Sequence, residues 1–120
     1  MKSRRAPSGV DDDFSAILEY PEHTATIGSS FRCKLQNWAY LIGSDGYIAI
    51  PDFWRTSEAM LFELDTCVEH FKDDRPHQGF AFEAIAAQDD IASGKLQSDV
   101  VSHADSLAIQ EMMDQIRHKI

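Results

Sequence analysis

The sequence predicts an α+β fold: an open antiparallel β-sheet with helices packed on one face and its other face available for oligomerisation. Two successive patterns of apolar residues predict this class. Apolar residues between positions 14 and 71 follow the two-residue period of strands, and turn signals separate the strands at short intervals. From position 80 onward the apolar residues follow helical spacing instead. We interpret residues 1–12 as an extended lead-in and residues 13–120 as a single domain.

The strands are predicted from alternation and from the turns between them. The first two form a hairpin around Pro21-Glu22, because proline next to a polar residue favours a turn. The next two are joined by the tight turn Ser44-Asp45-Gly46, and they lead into the aromatic segment that ends at Trp54. The predicted strands are residues 14–20, 23–31, 36–42 and 47–50, with one or two further strands at 59–65 and 66–71.

Two helices are predicted after the strands. In the first, Phe80, Ala84 and Ile91 fall on one helical face, and Gly94 stands where a residue in left-handed conformation ends a helix. The second helix begins with a capping box, in which a hydroxyl residue is followed three positions later by a carboxylate. This box is Ser102 with Asp105, and the apolar stripe that follows is Ile109, Met112, Met113, Ile116 and Ile120.

Both faces of the middle strands are apolar, although a sheet with one face in water alternates between apolar and polar residues. Leaving several hundred Å² of the aromatic face in water would cost on the order of 5–10 kcal/mol at roughly 25 cal/mol per Å². A second subunit or a missing domain is the expected cover, and loops of the same chain are the alternative. The predicted oligomer face consists of Trp38, Tyr40, Ile42 and Tyr47.

Composition and charge exclude several classes of partner. The chain has 120 residues, enough for one domain with a core, and a net charge of −9. Nucleic acid is not expected, because phosphate binding needs clustered Lys and Arg, and the basic cluster at Lys2, Arg4 and Arg5 is interpreted as a solvated tail. No apolar run approaches the roughly 20 residues that span a bilayer. Cys33 and Cys67 are too few for a disulfide framework, so we expect a reduced cytoplasmic protein.

The sequence motifs of known catalytic and cofactor sites are missing. The glycines form no G-x-G-x-x-G turn, and no P-loop, G-x-S-x-G or H-E-x-x-H motif occurs. His70 and His77 do not have the spacing of helical metal ligands. Asp99 and His103 have the spacing of a carboxylate-steered base but fall at the start of a helix, and Glu83 is better explained by helix electrostatics. We predict no catalytic, cofactor-binding or metal-binding residue.

Three segments, taken in order, carry a family resemblance. The first is the strand–turn–strand with Gly43 and Gly46 that leads into Ile-Pro-x-Phe-Trp. The second is a Phe-x-x-Glu helix that ends in Ser-Gly-Lys, and the third is a Ser-Leu helix that ends in Gln-Ile-Arg. Together they resemble the C-terminal half of the Gfo/Idh/MocA oxidoreductases, which include glucose–fructose oxidoreductase, inositol dehydrogenase and dimeric dihydrodiol dehydrogenase. The likeness runs from about residue 9, where Gly-Val-Asp-Asp resembles the family's entry into this sheet, to residue 120.

The resemblance implies a two-domain enzyme, in which a Rossmann domain binds NAD(P) and an open sheet domain closes the substrate cleft and pairs subunits. The family's glycine fingerprint and its Glu-Lys-Pro motif with the catalytic lysine are absent from this sequence. We therefore expect a C-terminal substrate-cleft and oligomerisation domain of a sugar or polyol oxidoreductase, with no Rossmann domain, cofactor or catalysis of its own. Arg32, Trp54 and Arg55 are predicted to reach the cleft. The alternative is a free-standing dimeric module for interaction or small-ligand binding.

Overall fold

The computed structural model describes residues 1–74 and 79–119, which contain seven strands and two helices. The predicted α+β class with open antiparallel strands is confirmed. The elements are β1 (Lys2–Arg5), β2 (Asp11–Glu19), β3 (Thr24–Ser30), β4 (Ala39–Ile42), β5 (Tyr47–Ile50), β6 (Glu58–Glu63), β7 (Thr66–Lys72), α1 (Gly79–Ala92) and α2 (His103–Arg117).

The first sheet has the order β1-β2-β3, and both of its strand pairs are antiparallel. The prediction of a tail is wrong, because the N-terminal residues pair with β2, although Lys2, Arg4 and Arg5 are exposed to solvent as expected. Arg4 lies opposite Asp13, and Arg5 lies opposite Asp11. Cross-strand pairs of opposite charge stabilise a ladder, which explains why this polar segment forms a strand.

The predicted hairpin between β2 and β3 is confirmed. Its ladder ends where Glu19 lies opposite Thr24, and the Tyr20 N–H donates to the His23 carbonyl oxygen at 2.9 Å. The rings of Tyr20 and His23 stack across the turn with their centroids 4.4 Å apart. Backbone and side chains therefore both hold this two-residue connection closed.

The second sheet has the order β4-β5-β6-β7 and is antiparallel throughout. β4 begins later than predicted, because the Asn37 carbonyl oxygen accepts the Phe53 N–H at 3.1 Å instead of extending the ladder. The tight turn after β4 is closed by the Gly43 N–H, which donates to the Gly46 carbonyl oxygen at 2.9 Å. A Cβ at Gly46 would collide with the Phe62 carbonyl oxygen, so glycine is required for this close approach to β6.

The predicted helix ends are confirmed. Gly94 has a φ of 71°, and the Lys95 N–H donates to the Asp90 carbonyl oxygen at 2.9 Å, as in a Schellman motif. At the start of α2, the Asp105 N–H donates to Ser102 Oγ at 3.1 Å, and the Asp105 carboxylate accepts the Ser102 N–H at 2.9 Å. These reciprocal bonds satisfy two backbone donors of the first turn.

The chain divides into two compact units, residues 1–35 with 90–120, and residues 36–89. Among the described residues, Ala16 in the first unit and Ala49 in the second are the fully buried hydrophobic ones. Neither helix has a buried residue, and within each unit the substantial contacts between elements join neighbouring strands. The predicted covering of one sheet face by helices is therefore not found within either unit. Residues 31–38, between β3 and β4, form no strand, and the strands divide between two small sheets. The single-domain boundary stays a prediction.

Candidate functional site

An aromatic face lies on one side of the second sheet. Directly opposed residues of an antiparallel ladder share a face, so the strand registers define which side chains lie together. One row crosses all four strands and consists of Tyr40, Ala49, Met60 and His70. A second row on the same face consists of Ile42, Tyr47, Phe62 and Cys67. We use the name aromatic face for Trp38, Tyr40, Ile42, Tyr47, Met60 and Phe62.

Four aromatic rings follow one another across this face. Trp38 stacks on Tyr40 with centroids 5.9 Å apart, and Tyr40 meets Tyr47 at 6.2 Å in a tilted contact. Tyr47 then stacks on Phe62 at 4.8 Å. Aromatic pairs at these distances attract each other beyond the effect of burial alone, so the rings order one another. Trp38 and Tyr40 are nevertheless 38% and 51% exposed, so the β4 end of this row faces outward.

The structure brings together all four residues of the predicted oligomer face. Trp38, Tyr40 and Ile42 alternate along one chain segment, and Ile42 lies directly opposite Tyr47. Ile42 is 81% exposed, whereas Tyr47, Met60 and Phe62 are half-buried, so the face is most exposed at β4. Their grouping on one face is observed, and their role in oligomerisation stays a prediction.

A polar edge borders the aromatic face at β7. His70 Nε2 lies 2.8 Å from Glu58 Oε2, and Lys72 lies opposite Glu58 in the ladder. All three side chains share the face of Tyr40 and Met60, since each opposed pair lies on one side of the sheet. The face therefore has an apolar centre and an edge that carries groups of both charge signs.

Two of the predicted cleft residues meet in the turn that follows β5. The guanidinium carbon of Arg55 lies 4.7 Å from the ring centroid of Trp54. Arg55 Nη2 also lies 3.6 Å from Asp52 Oδ2, and the Arg55 N–H donates to the Asp52 carbonyl oxygen at 2.8 Å. A shallow cleft of about 240 Å³ beside this turn is lined by Pro51, Asp52, Arg55, Thr56, Ser57 and Glu58.

The third predicted cleft residue, Arg32, lies in the other unit. Its Nη2 atom is 2.7 Å from Asp12 Oδ2, and the hydrogen bond and charge of that carboxylate raise the pKa of Arg32. The Phe31 N–H donates to the Asp12 carbonyl oxygen at 2.8 Å, so the segment is tied to β2 through both backbone and side chain. A cleft shared by Arg32 with Trp54 and Arg55 stays a prediction.

The remaining chemical candidates have structural roles in the residues described. Lys95 Nζ binds the Asp99 carboxylate at 2.7 Å and the Asp90 carboxylate at 3.1 Å, and these contacts, the hydrogen bond to Asp99 first, raise the pKa of Lys95. Asp99 thus ties the loop to the end of α1, and the His103 N–H donates to Gln97 Oε1 at 3.1 Å. Glu83 is exposed on α1. Residues 1–74 and 79–119 hold no group of three potential metal ligands, and His77 lies outside these ranges.

Comparison with known proteins identifies relatives among the dehydrogenases. The trans-1,2-dihydrobenzene-1,2-diol dehydrogenase of Xenopus laevis is 30% identical over 120 residues, which cover 90% of this chain and 35% of that protein. The enzyme of the same name from Danio rerio is 24% identical over 123 residues, 94% of this chain and 36% of that protein. The chain is a relative of the dihydrodiol dehydrogenases, members of the Gfo/Idh/MocA family. The family resemblance predicted from the sequence is confirmed.

The relationship covers part of each dehydrogenase. The chain spans 35% to 36% of the length of these curated relatives and corresponds to their C-terminal part. No family model matches the chain, and no solved structure matches it. In the described part of the chain, neither helix combines the length and the apolarity needed to cross a membrane.

The nicotinamide cofactor implied by the Gfo/Idh/MocA family does not fit the described residues. A dinucleotide site needs a glycine-rich turn between a parallel strand and a helix, so that backbone N–H groups surround the pyrophosphate. Every strand pair in residues 1–74 is antiparallel. The first turn of α1 has Gly79 as its single glycine. No step of hydride transfer can therefore be assigned to these residues.

Sequence reasoning missed the contribution of β6 and β7 to this site. Met60 and Phe62 complete the aromatic face, but both rows of the segment AMLFELD are largely apolar, so alternation did not show which row faces the tyrosines. The Glu58–His70 pair was also missed, because it depends on a strand register. A signal did exist for the turn that joins Asp52 to Arg55, since aspartate is favoured at the first position of a β-turn.

Proposed function

We propose that this chain forms the substrate-cleft and oligomerisation part of an NAD(P)-dependent oxidoreductase of the sugar or polyol type. The observation that carries the proposal is the stacked row of Trp38, Tyr40, Tyr47 and Phe62, which is exposed at Trp38 and Tyr40, in a chain whose relatives are dehydrogenases. A large exposed apolar patch on a soluble protein marks an interaction site. Assembly through this face is the role that the patch supports.

We propose a second copy of the chain as the cover of the aromatic face. Protein interfaces combine an aromatic, charge-depleted centre with a polar rim, which is the pattern of this face. A two-fold dimer places the same patch of both copies in contact, so the patch must tolerate its own charges. The chain has a net charge of −9, but the edge formed by Glu58, His70 and Lys72 carries both signs. Self-association here avoids the repulsion that a uniformly acidic edge would cause.

In the proposed enzyme, this chain binds and orients substrate while the cofactor is held outside residues 1–120. Trp54 does not line the 240 Å³ cleft beside its turn, but it is the group best suited to contact substrate, because it is 62% exposed and an aromatic ring packs well against the apolar face of a cyclic diol. Arg32 and Arg55 belong to the same proposal as cleft residues. Binding and positioning are the contributions that a protein makes when a cofactor carries out the redox step.

Titration of the purified chain with NADP⁺ and NAD⁺, measured by isothermal calorimetry, tests whether the cofactor is held outside this chain. We expect no measurable binding of either dinucleotide, because the described residues form no pyrophosphate site. Tight binding of either one would show that the chain holds the cofactor itself and would refute the proposal. As a control, the titration is repeated at several concentrations of the chain, because self-association through the aromatic face should not change dinucleotide binding.

A further inference from the structure

The turn after β5 holds its residues in a fixed arrangement. Asp52 has a φ of 43°, in the left-handed region that aspartate and asparagine adopt more readily than most other non-glycine residues. The Phe53 N–H donates to the Asn37 carbonyl oxygen at 3.1 Å, and the Arg55 N–H donates to the Asp52 carbonyl oxygen at 2.8 Å. The first bond ties the turn to the segment before β4, and the second closes the turn.

Arg55 lies between a carboxylate and an aromatic ring. Its guanidinium is 3.6 Å from Asp52 Oδ2 and 4.7 Å from the centroid of Trp54. A planar guanidinium over an indole interacts with its negative face, which favours one orientation of the ring. The Asp52 carboxylate in turn limits where the guanidinium can move.

This arrangement gives Arg55 and Trp54 different tasks. The guanidinium is engaged by Asp52 and by one face of the indole, whereas Trp54 remains 62% exposed. A fixed ring with one open face loses less conformational freedom on binding than a mobile ring does. We infer that Arg55 is a positioning residue, which with Asp52 holds Trp54 so that its other face is open to a ring-shaped ligand. The inference rests on the proposed place of Trp54 in the cleft.

Fluorescence of Trp54 tests the positioning directly. The chain has two tryptophans, so Trp38→Phe leaves Trp54 as the single indole. In that background we expect Arg55→Ala to raise the acrylamide quenching constant about twofold, because the second ring face becomes accessible, and to lower the fluorescence anisotropy. Arg55→Lys keeps the charge without the planar stack and should give an intermediate value. Asn also adopts the left-handed backbone, so Asp52→Asn removes only the negative charge beside Arg55 and should raise the quenching constant in part.

Arg117→Ala is the matched control, because Arg117, like Arg55, lies near a carboxylate three residues earlier, and it belongs to the other unit. It should leave the quenching of Trp54 at the wild-type value. Circular dichroism of each variant separates a local effect from loss of fold. Equal quenching in wild type and Arg55→Ala, with both folded, would overturn the inference.

Binding of trans-1,2-dihydrobenzene-1,2-diol, measured by quenching of Trp54, separates the inference from the proposed function. If the diol binds, we expect Trp54→Ala to abolish binding, as followed by calorimetry, and Arg55→Ala to weaken it about fivefold. If the diol does not bind while Arg55→Ala still exposes Trp54, the positioning contact is supported and the cleft role of Trp54 is refuted. If the diol binds equally to wild type and Arg55→Ala, the positioning inference fails and the cleft role survives.

Discussion

The ring of Tyr47 stacks on the ring of Phe62, with centroids 4.8 Å apart and planes inclined by only 6°. The two residues lie directly opposite each other in the β5–β6 ladder, on the aromatic face. Because neighbouring strands hold them, the contact also reports on the register of the sheet. A slip of one residue would move one ring to the opposite face.

We expect a measurable coupling energy between these two rings. Tyr47→Leu and Phe62→Leu should each destabilise the chain, and the double variant should lose about 0.5–1.5 kcal/mol less than the sum of the single losses. The measurement is a double-mutant cycle by urea denaturation. Tyr47 with Phe71, which lies on the other face, provides the control cycle and should be additive. Strict additivity of Tyr47 with Phe62 would show that the stack contributes nothing to stability.

The close approach at Gly46 predicts a sharp difference between two glycines of one turn. Gly46→Ala should lower the free energy of unfolding by about 1–3 kcal/mol, because its Cβ collides with the Phe62 carbonyl oxygen and β6 must move. At Gly43 a Cβ would lie 3.6 Å from the Gly46 carbonyl oxygen, an ordinary contact. Gly43→Ala should therefore stay within about 0.5 kcal/mol of wild type in the same urea experiment. Equal effects at both positions would argue against the observed packing of the turn on β6.

The capping box of α2 predicts a dependence of helix content on pH. Hydrogen bonds from the Ser102 hydroxyl and then from its backbone N–H hold the pKa of Asp105 below its ordinary value of 3.8. Since the folded state favours the carboxylate, its contribution is fully present above the ordinary pKa and is lost as the pH falls through the lower folded value. Helix content by circular dichroism should fall in that acid range for wild type.

Substitutions distinguish the contribution of the capping box from the general effect of low pH on the protein. Asp105→Asn should remove the loss of helix content in acid that protonation of this carboxylate causes. Ser102→Ala should lower the free energy of unfolding by about 1 kcal/mol at neutral pH. Glu111→Gln changes the same charge in the middle of α2 and should leave the acid transition in place. An unchanged acid transition in Asp105→Asn would show that the carboxylate does not stabilise the helix.

Local features of the fold were predictable because their causes lie within a few residues. The hairpin at Pro21-Glu22, the glycine stop at Gly94 and the capping box at Ser102 all depend on short-range hydrogen bonds, and all are confirmed. The strand at Lys2–Arg5 was not predicted, because its pairing depends on the register that places Arg4 opposite Asp13 and Arg5 opposite Asp11. The division into two sheets was missed for the same reason, since alternation shows that strands exist but not which ones pair.

The part of the candidate site that lies on a single strand was predictable, because alternation shows which residues of a strand share a face. Trp38, Tyr40 and Ile42 share a face by alternation alone, and Tyr47 joins them through the short turn after β4. Phe62 and His70 needed the registers of β6 and β7, which include a bulge that no pattern of apolar residues specifies. The stacking of Arg55 on Trp54 depends on side-chain direction in a turn, where periodicity carries no information.

Sedimentation velocity across a range of concentrations tests the central claim that the aromatic face joins two copies of this chain. Tyr40 and Leu41 are adjacent, lie on opposite faces of β4, and are 51% and 58% exposed, so Tyr40→Glu and Leu41→Glu form a matched pair. We predict a concentration-dependent dimer for wild type and for Leu41→Glu. Tyr40→Glu should be a monomer, because it alone would bury a charge in the interface. A wild-type chain that stays monomeric, or equal dissociation by both variants, would contradict the account.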